Sequence, residues 1–228
     1  MFPEHADDLH TRPLRRRDLD PDPLRQFGAW MREAEESGVA QSEAAALATA
    51  SRHGRPSVRM VLLKGFDERG FVFHTGYGSR KSRDLAENPR AALLVHWPHL
   101  GRQVRIEGPV DRVPREESEA YFRTRPRGGQ LAAWASRQSE PIESREALES
   151  RFRALEARFA AAEPPLPDHW GGFRLAPDEY EFWQHRENRL HDRFRYRRHD
   201  THSGARSGSG RAERLPEDSE WLIERLQP

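Results

Sequence analysis

A series of short strand-like segments joined by polar turns constrains the fold of this chain more than any other feature. Residues 44–51 and 56–64 have the composition of strands, and the turn residues 52–55 lie between them. A second turn at residues 67–70 leads into the apolar run 71–75. Strands joined by such short turns run antiparallel. This part of the chain is therefore predicted to form an antiparallel meander.

Helices and further strands follow in an irregular order. Asp22 with Pro23 marks a helix start, as do Ser79 and Ser144. Gly128 and Gly129 are expected to end a helix before residue 130. The predicted helices span 23–38, 79–88, 114–123, 130–136 and residues after 144, and the later strands span 91–97, 103–113, 172–175, 179–184, 193–198 and 221–226. Strands and helices do not alternate regularly, so we predict a mainly β (α+β) fold, an antiparallel barrel with peripheral helices.

One domain is expected over residues 19–228, preceded by a mobile N-terminal arm at residues 1–18. Residues 199–219 are rich in Ser, Gly, Arg and Glu, and we predict a disordered excursion there. The strand at 221–226 is expected to pair with 193–198 across this excursion. The first residues form no signal-peptide pattern and no long apolar run occurs, so we expect a cytoplasmic protein with no membrane contact.

Lysine is confined to one part of the sequence. The chain has 38 Lys and Arg residues, but only Lys64 and Lys81 are lysines. Arg80 and Lys81 fall in the first turn of a predicted helix, where free backbone N–H groups favour an anion. Chance and codon bias explain two lysines equally well; the alternative is an anion site, most simply for phosphate. The net charge of +1 gives no reason to expect nucleic-acid binding.

Other residues limit the possible chemistry. The chain has no cysteine, which excludes disulfides and thiolate catalysis. No complete metal-ligand set, phosphate loop or nucleophile elbow is present, so no metal is predicted. In residues 189–193, Arg189, His191 and Arg193 share one face if the segment is extended. This face is either a salt-bridged strand or a second site for an anionic ligand.

The chain resembles the pyridoxine/pyridoxamine 5′-phosphate oxidase family. The matching segments occur in the family's order and cover roughly residue 15 to the C-terminus, except residues 199–219. They are Arg-Met-Val-Leu-Leu-Lys at 59–64, Gly-Ser-Arg-Lys at 78–81, Arg-Gln-Val at 102–104, Tyr-Phe-Arg-Thr-Arg-Pro at 121–126, Trp134 with Arg-Gln-Ser at 137–139, His-Trp-Gly-Gly-Phe at 169–173, Glu-Phe-Trp at 181–183 and Arg-Leu-His-Asp-Arg at 189–193.

The resemblance implies a split β-barrel that binds FMN and forms a homodimer, with two FMN sites at the subunit interface. Arg59, Arg80 and Lys81 would hold the FMN phosphate. The full set of residues expected at the cofactor is Arg59, Met60, Val61, Leu62, Leu63, Lys64, His74, Thr75, Arg80, Lys81, Gln103, Gln138, Ser139, Trp183 and Arg193, some of them from the partner chain.

The resemblance also implies the oxidation of pyridoxamine or pyridoxine 5′-phosphate to pyridoxal 5′-phosphate, with oxygen as acceptor and hydrogen peroxide as product. Lys64, Tyr121 and Arg125 would bind the substrate phosphate. Arg189 and His191 would lie over the pyridine ring as the catalytic pair.

Some positions depart from the family pattern. Gly129 stands where the family has a Ser on the substrate phosphate, so the resemblance implies substrate binding by the Gly129 backbone N–H without a hydroxyl donor. Ala132 and His185 replace usual glycines. Residues 6–9 lack the family's Arg-x-x-Tyr element. These departures leave two alternatives open: a related flavin oxidase acting on another small ring compound, as in phenazine pathways, or a non-catalytic flavin-binding module.

Overall fold

The computed structural model describes residues 12–198 and 220–228, and within them the chain forms ten strands and five α-helices. The strands are β1 (Ala44–Ala50), β2 (Pro56–Leu62), β3 (Gly65–Asp67), β4 (Gly70–Gly76), β5 (Arg90–Trp97), β6 (Arg102–Arg112), β7 (Trp170–Leu175), β8 (Glu179–Gln184), β9 (Asp192–Arg198) and β10 (Trp221–Leu226). The helices are α1 (Pro23–Glu36), α2 (Arg80–Glu87), α3 (Arg115–Thr124), α4 (Arg127–Ala135) and α5 (Arg145–Arg158).

All strand pairs are antiparallel, and the long strand β6 belongs to both parts of the sheet. The described strands follow the order β10-β9-β8-β6-β5-β1-β2, while β7 joins β6 to β4 and β4 pairs with β3. Strand β6 pairs with β8 through residues 102–107 and with β7 through residues 110–112. Between these two parts, a Cβ atom on Gly108 would lie 2.0 Å from the Ala176 carbonyl oxygen, so only glycine fits at the switch. The predicted antiparallel split barrel with peripheral helices is confirmed.

Helix α1 covers one end of the core. The Asp22 side chain accepts a hydrogen bond from Leu24 N–H, and Pro23 occupies the first helical position, as predicted. Phe27 is fully buried and packs edge-to-face on both Phe66 and Phe71. The hydrophobic face of α1 therefore fixes the hairpin formed by β3 and β4, which carries part of the site.

Two predicted boundaries differ from the structure. Helix α4 begins at Arg127, so Gly128 and Gly129 lie in its first turn and do not break a helix. The break falls at Arg125 and Pro126, because a residue before proline favours an extended backbone and Arg125 adopts one. The predicted mobile arm is described from residue 12, and there Leu14 is buried and donates its N–H to Asp192 Oδ2 at 3.1 Å. This part of the arm is therefore packed on the domain.

The predicted excursion at residues 199–219 lies outside the described residues, as do residues 1–11 of the arm. Strands β9 and β10 flank the excursion and pair with each other, as predicted; the pairing is antiparallel, with Trp221 opposite Arg198. Among the described helices, none is long and apolar enough to span a bilayer.

Candidate active site

A cleft of about 440 Å³ lies where β4, β7, α3 and α4 meet. It brings together seven predicted site residues from separate parts of the sequence. Its walls are formed by Leu62, Lys64, His74, Thr75, Gly76, Tyr121, Arg125, Ala132, Ala133, Ser136, Gln138 and Trp170. Successive residues of β4 point to opposite sides of the strand, so His74 and Thr75 belong to different parts of the site.

On the Thr75 side lies a cationic clamp formed by Arg59, Arg80 and Lys81. Lys81 is only 6% exposed, and its Nζ donates to Thr75 Oγ1 at 2.9 Å. Thr75 in turn donates to Gln138 Oε1 at 2.7 Å. Burial, together with the charge of Arg59, lowers the pKa of Lys81 to about 8. Among the described residues no carboxylate forms an ion pair with this ammonium group, so it can serve an anionic ligand.

Arg59 is held beside Lys81 by neutral oxygen atoms. Its guanidinium donates to Leu47 O at 3.1 Å, Thr49 Oγ1 at 2.8 Å and Ser57 Oγ at 2.6 Å. Asp84 of α2 lies 3.9 Å away and accepts a hydrogen bond from Thr49 at 2.7 Å. Burial lowers the pKa of Arg59, although Asp84 acts in the opposite direction. Sequence reasoning missed Thr49 and Asp84; the spacing of Asp84 three residues after Lys81 on one helix was the available signal.

On the His74 side lies a phosphate cluster, our name for Lys64, Tyr121 and Arg125. The His74 ring stacks on Tyr121 with centroids 4.0 Å apart and lies 5.3 Å from the Trp170 ring. The Arg125 guanidinium lies 4.6 Å from the Trp170 centroid, and its Nη1 is buried without a hydrogen-bond partner among the described residues. Trp170 belongs to a matched segment but was not among the predicted site residues.

Lys64 lines this side of the cleft, and Gly129 lies next to the Arg125 side chain. The Lys64 ammonium lies 3.8 Å from Glu43, while its backbone N–H donates to Val72 O and joins the β2 hairpin to β4. The Gly129 N–H donates to Pro126 O at 2.8 Å, so it is engaged in the helix and is not free for a ligand. A Cβ atom at position 129 would lie 3.3 Å from Arg125 Nη2. The glycine therefore leaves room for the present position of Arg125.

The other predicted residues lie elsewhere, in a second cluster formed by Gln103, Trp183, His191 and Arg193. Gln103 is opposite Trp183, and Trp183 is opposite Arg193, across β6, β8 and β9. The rings of Trp183 and His191 are 4.5 Å apart. Arg193 donates to Glu181 Oε1 at 2.7 Å. Arg189 precedes this cluster in a left-handed conformation, with φ 61°.

The two groups of residues lie on the same outward face of the sheet and at the same end of it. A row of paired residues crosses this face from Met60 on β2 through Leu94 and Arg105 to Glu181 on β8. Leu62 and Trp183 each lie two residues farther along, in the same direction. Four strand spacings separate them, about 19 Å in all. Within one chain, the second cluster therefore does not reach the cleft.

Apolar side chains on this face lie open in a single chain. Val58 is 69% exposed and Met60 64% exposed, both on the edge strand β2. An uncovered apolar edge of this kind marks an interaction surface. A second subunit covering this face can bring the second cluster of one chain to the cleft of the other.

The remaining predicted residues lie on or next to strand β2 or are exposed at the surface. Met60, Val61 and Leu63 lie in or just after β2, and Leu63 is buried. Arg80 is exposed at the first position of α2, and Ser139 is exposed with φ 72°. No group of three or more His, Asp or Glu suited to a metal occurs in the described part of the chain.

The fold and the cleft define a split-barrel protein with cationic side chains on both sides of strand β4. The family model for pyridoxamine 5′-phosphate oxidase matches residues 31–159, and that for the pyridoxine 5′-phosphate oxidase C-terminal dimerisation region matches residues 170–228. The chain therefore belongs to the pyridoxamine 5′-phosphate oxidase family. This membership confirms the predicted enzyme class, an FMN-dependent oxidoreductase, and the predicted homodimer.

Individual proteins support the same assignment. The pyridoxine/pyridoxamine 5′-phosphate oxidase of Rubrobacter xylanophilus is 57% identical over 92% of this chain and 88% of its own length. The enzyme of the same name from Paraburkholderia phymatum is 51% identical over 92% of this chain and 91% of its own. Among solved structures, PhzG from Burkholderia lata, in complex with tetrahydrophenazine-1-carboxylic acid, has a TM-score of 0.82 and 31% identity, covering 96% of this chain and 99% of its own.

Proposed function

We propose that the protein oxidises pyridoxine 5′-phosphate or pyridoxamine 5′-phosphate to pyridoxal 5′-phosphate, using FMN and oxygen. The observation that carries this proposal is the presence of two separate cationic groups on opposite sides of β4. The clamp at Lys81 and the phosphate cluster at Lys64 and Arg125 suit two phosphorylated ligands side by side. A single phosphate would not require both.

The residues of the clamp fit the phosphate of FMN. Lys81 is a buried ammonium group without an acidic partner in the described chain, and Arg59 is held beside it by neutral acceptors and by Asp84 at 3.9 Å. The Lys81 ammonium group is costly to bury unless an anion compensates it. In the proposed dimer, Gln103, Trp183 and Arg193 of the second subunit complete the flavin site. The other residues that the sequence predicts at the cofactor are likewise proposed to contact FMN.

The chain's own residues bind and orient the substrate. Lys64, Tyr121 and Arg125 hold its phosphate, and Arg189 and His191 of the second subunit lie over its ring. Bound FMN would supply the redox chemistry, a two-electron oxidation at the substrate C4′ carbon with oxygen as the final acceptor and hydrogen peroxide as the product. An amine substrate thereby becomes an imine, which water hydrolyses to the aldehyde and ammonia.

The tautomer of His191 follows from one contact. Its Nδ1 accepts a hydrogen bond from Arg186 N–H at 3.2 Å. The neutral ring therefore carries its proton on Nε2, which leaves this atom as the donor toward a substrate. We propose that His191 orients the reacting substituent through this proton, with Arg189 beside it.

Two matched variants test the assignment of the two phosphates. Lys81→Met should weaken FMN binding, measured by quenching of flavin fluorescence. Lys64→Met should retain FMN and raise the KM for pyridoxine 5′-phosphate by about 10- to 100-fold, the loss of a charged hydrogen bond. If both variants lose flavin to the same extent and neither changes KM in the FMN-saturated enzyme, the two-phosphate assignment is wrong.

A related oxidase of phenazine-type rings is the second candidate, favoured by the similarity to PhzG and by glycine at position 129. A substrate without a phosphate would leave Lys64 and Arg125 without a role. The FMN-saturated protein should turn over pyridoxine 5′-phosphate and not tetrahydrophenazine-1-carboxylic acid; the reverse preference would support the second candidate.

A cytoplasmic location stays a prediction from the sequence, which cell fractionation would test.

A further inference from the structure

We propose that His74 takes up a proton when the substrate phosphate binds to the phosphate cluster, so that this residue links substrate affinity to pH. The inference rests on the proposed function, since it concerns the same cleft. The resemblance places His74 near the cofactor. In the structure, the His74 side chain lies on the side of β4 that carries the phosphate cluster, opposite the clamp. There it touches Tyr121 and lines the cleft with Lys64 and Arg125.

The ring of His74 is fixed while its nitrogen atoms are left without partners. It stacks nearly parallel to both Tyr121 and Trp170, with interplanar angles of 21° and 15°. Gly172 gives it space, because a Cβ atom there would lie 2.9 Å from Nε2. Both Nδ1 and Nε2 are buried, and neither has a hydrogen-bond partner in the part of the chain that the structure describes. A buried imidazole of this kind is poised to respond to a ligand.

The charged groups around His74 are cations. Arg125 and Lys64 act on the ring electrostatically, and the neighbouring Tyr121 is neutral because burial raises the pKa of its hydroxyl. The Glu43 carboxylate lies 3.8 Å from the Lys64 ammonium group and forms an ion pair with it. Burial and these two cations lower the pKa of His74 to about 4, so the ring is neutral in the empty cleft.

A phosphate monoester reverses this balance. Its two negative charges neutralise Lys64 and Arg125 and add an anion beside the ring, which favours the cationic imidazole. Binding and protonation must therefore strengthen each other, because linkage between two ligands is reciprocal. The contribution of His74 to substrate affinity should therefore rise as the pH falls toward 6.

His74→Phe is the matched variant, because it keeps a flat ring between Tyr121 and Trp170 but cannot bind a proton. Calorimetric titration of both FMN-loaded proteins with pyridoxal 5′-phosphate at pH 6, in two buffers of different ionisation enthalpy, gives the protons taken up per site. The variant should take up fewer protons than the native protein, by about 0.5 per site or more. Arg189, His191 and the ligand itself are the same in both titrations, so the difference isolates His74.

Equal proton counts would overturn the inference. If His74→Phe does not bind the ligand, nitrogen NMR of the native protein decides instead: one additional imidazole must become cationic at pH 6 when pyridoxal 5′-phosphate is added, and an unchanged number of cationic rings counts against the inference. The proposed function is tested separately by turnover of pyridoxine 5′-phosphate. A native enzyme that turns over substrate without proton uptake contradicts only the role of His74.

Discussion

Lys81→Met should stabilise the flavin-free protein while weakening its affinity for FMN. Burial lowers the pKa of Lys81 from 10.5 to about 8. At pH 7 both the folded and unfolded chains carry the proton, so the full shift destabilises the fold, by about 3 kcal/mol. The variant also loses the hydrogen bond from Nζ to Thr75, which contributes about 1 kcal/mol. The net gain is about 2 kcal/mol, or about 4–8 °C in Tm.

The pH dependence gives a sharper test of the same reasoning. Between pH 8 and 10.5 the unfolded chain binds the Lys81 proton while the folded chain releases it, so native stability rises with pH. The advantage of the variant should therefore shrink by about 2 kcal/mol between pH 7 and pH 9.5. Urea unfolding of flavin-free protein, followed by tryptophan fluorescence at one fixed protomer concentration, measures both values.

Lys64→Met is the matched control for the same side-chain change. The Lys64 side chain is 27% exposed and lies beside Glu43, so the substitution should change stability by about 1 kcal/mol or less. FMN affinity of the Lys81 variant should fall by about 10- to 150-fold, the value of one charged hydrogen bond. A flavin-free Lys81→Met protein less stable than the native one, or a difference independent of pH, would refute the electrostatic reasoning.

Three further substitutions test the fold and its electrostatics by urea unfolding. Gly70→Ala should cost about 4 kcal/mol or more, because a Cβ atom would lie 1.9 Å from Leu175 O. Gly54→Ala, at a positive φ of 74° and with nothing within 4 Å, should cost about 1 kcal/mol; equal losses would contradict the steric argument. Glu181→Gln should cost about 3 kcal/mol, because the buried carboxylate accepts a hydrogen bond from Arg193 at 2.7 Å. Glu107, whose side chain is 42% exposed, is the control, and a loss smaller than that of Glu107→Gln would be contrary evidence. Between pH 6.5 and pH 4 the unfolded chain binds a proton at His74, but the folded chain, in which the pKa of His74 is about 4, does not. The native protein should therefore lose up to about 3 kcal/mol of stability over this pH range, and His74→Phe should remove that loss. The same loss of stability in both proteins would refute this prediction.

Local signals predicted most elements and part of the site. The helix start at Asp22 and Pro23 is confirmed because capping depends only on adjacent residues. The pairing of β9 with β10 is confirmed because both strands carry their own apolar alternation. Of the two lysines that the sequence singled out, Lys64 lines the cleft and Lys81 donates to Thr75, which also lines it.

What the sequence could not predict depends on distant contacts. Leu14 lies in an arginine-rich segment, and only the folded sheet shows that it is buried beside Asp192. The hydrogen bond from Thr75 to Gln138 joins residues 63 positions apart. The stack of His74 on Tyr121 likewise needs β4 and α3 to be in place. Such contacts carry no local signature in the sequence. The lowered pKa values of His74 and Lys81 therefore could not be predicted from it.

The cleft and the second cluster lie four strand spacings apart on one face of the sheet, and this separation has a genetic consequence. Each proposed site takes its clamp from one chain and its second cluster from the other. A dimer of a Lys81 variant with an Arg193 variant would contain one site carrying both lesions and one site carrying neither. Two defective alleles expressed together should thus restore activity, to about one quarter of the native level if subunits assort at random.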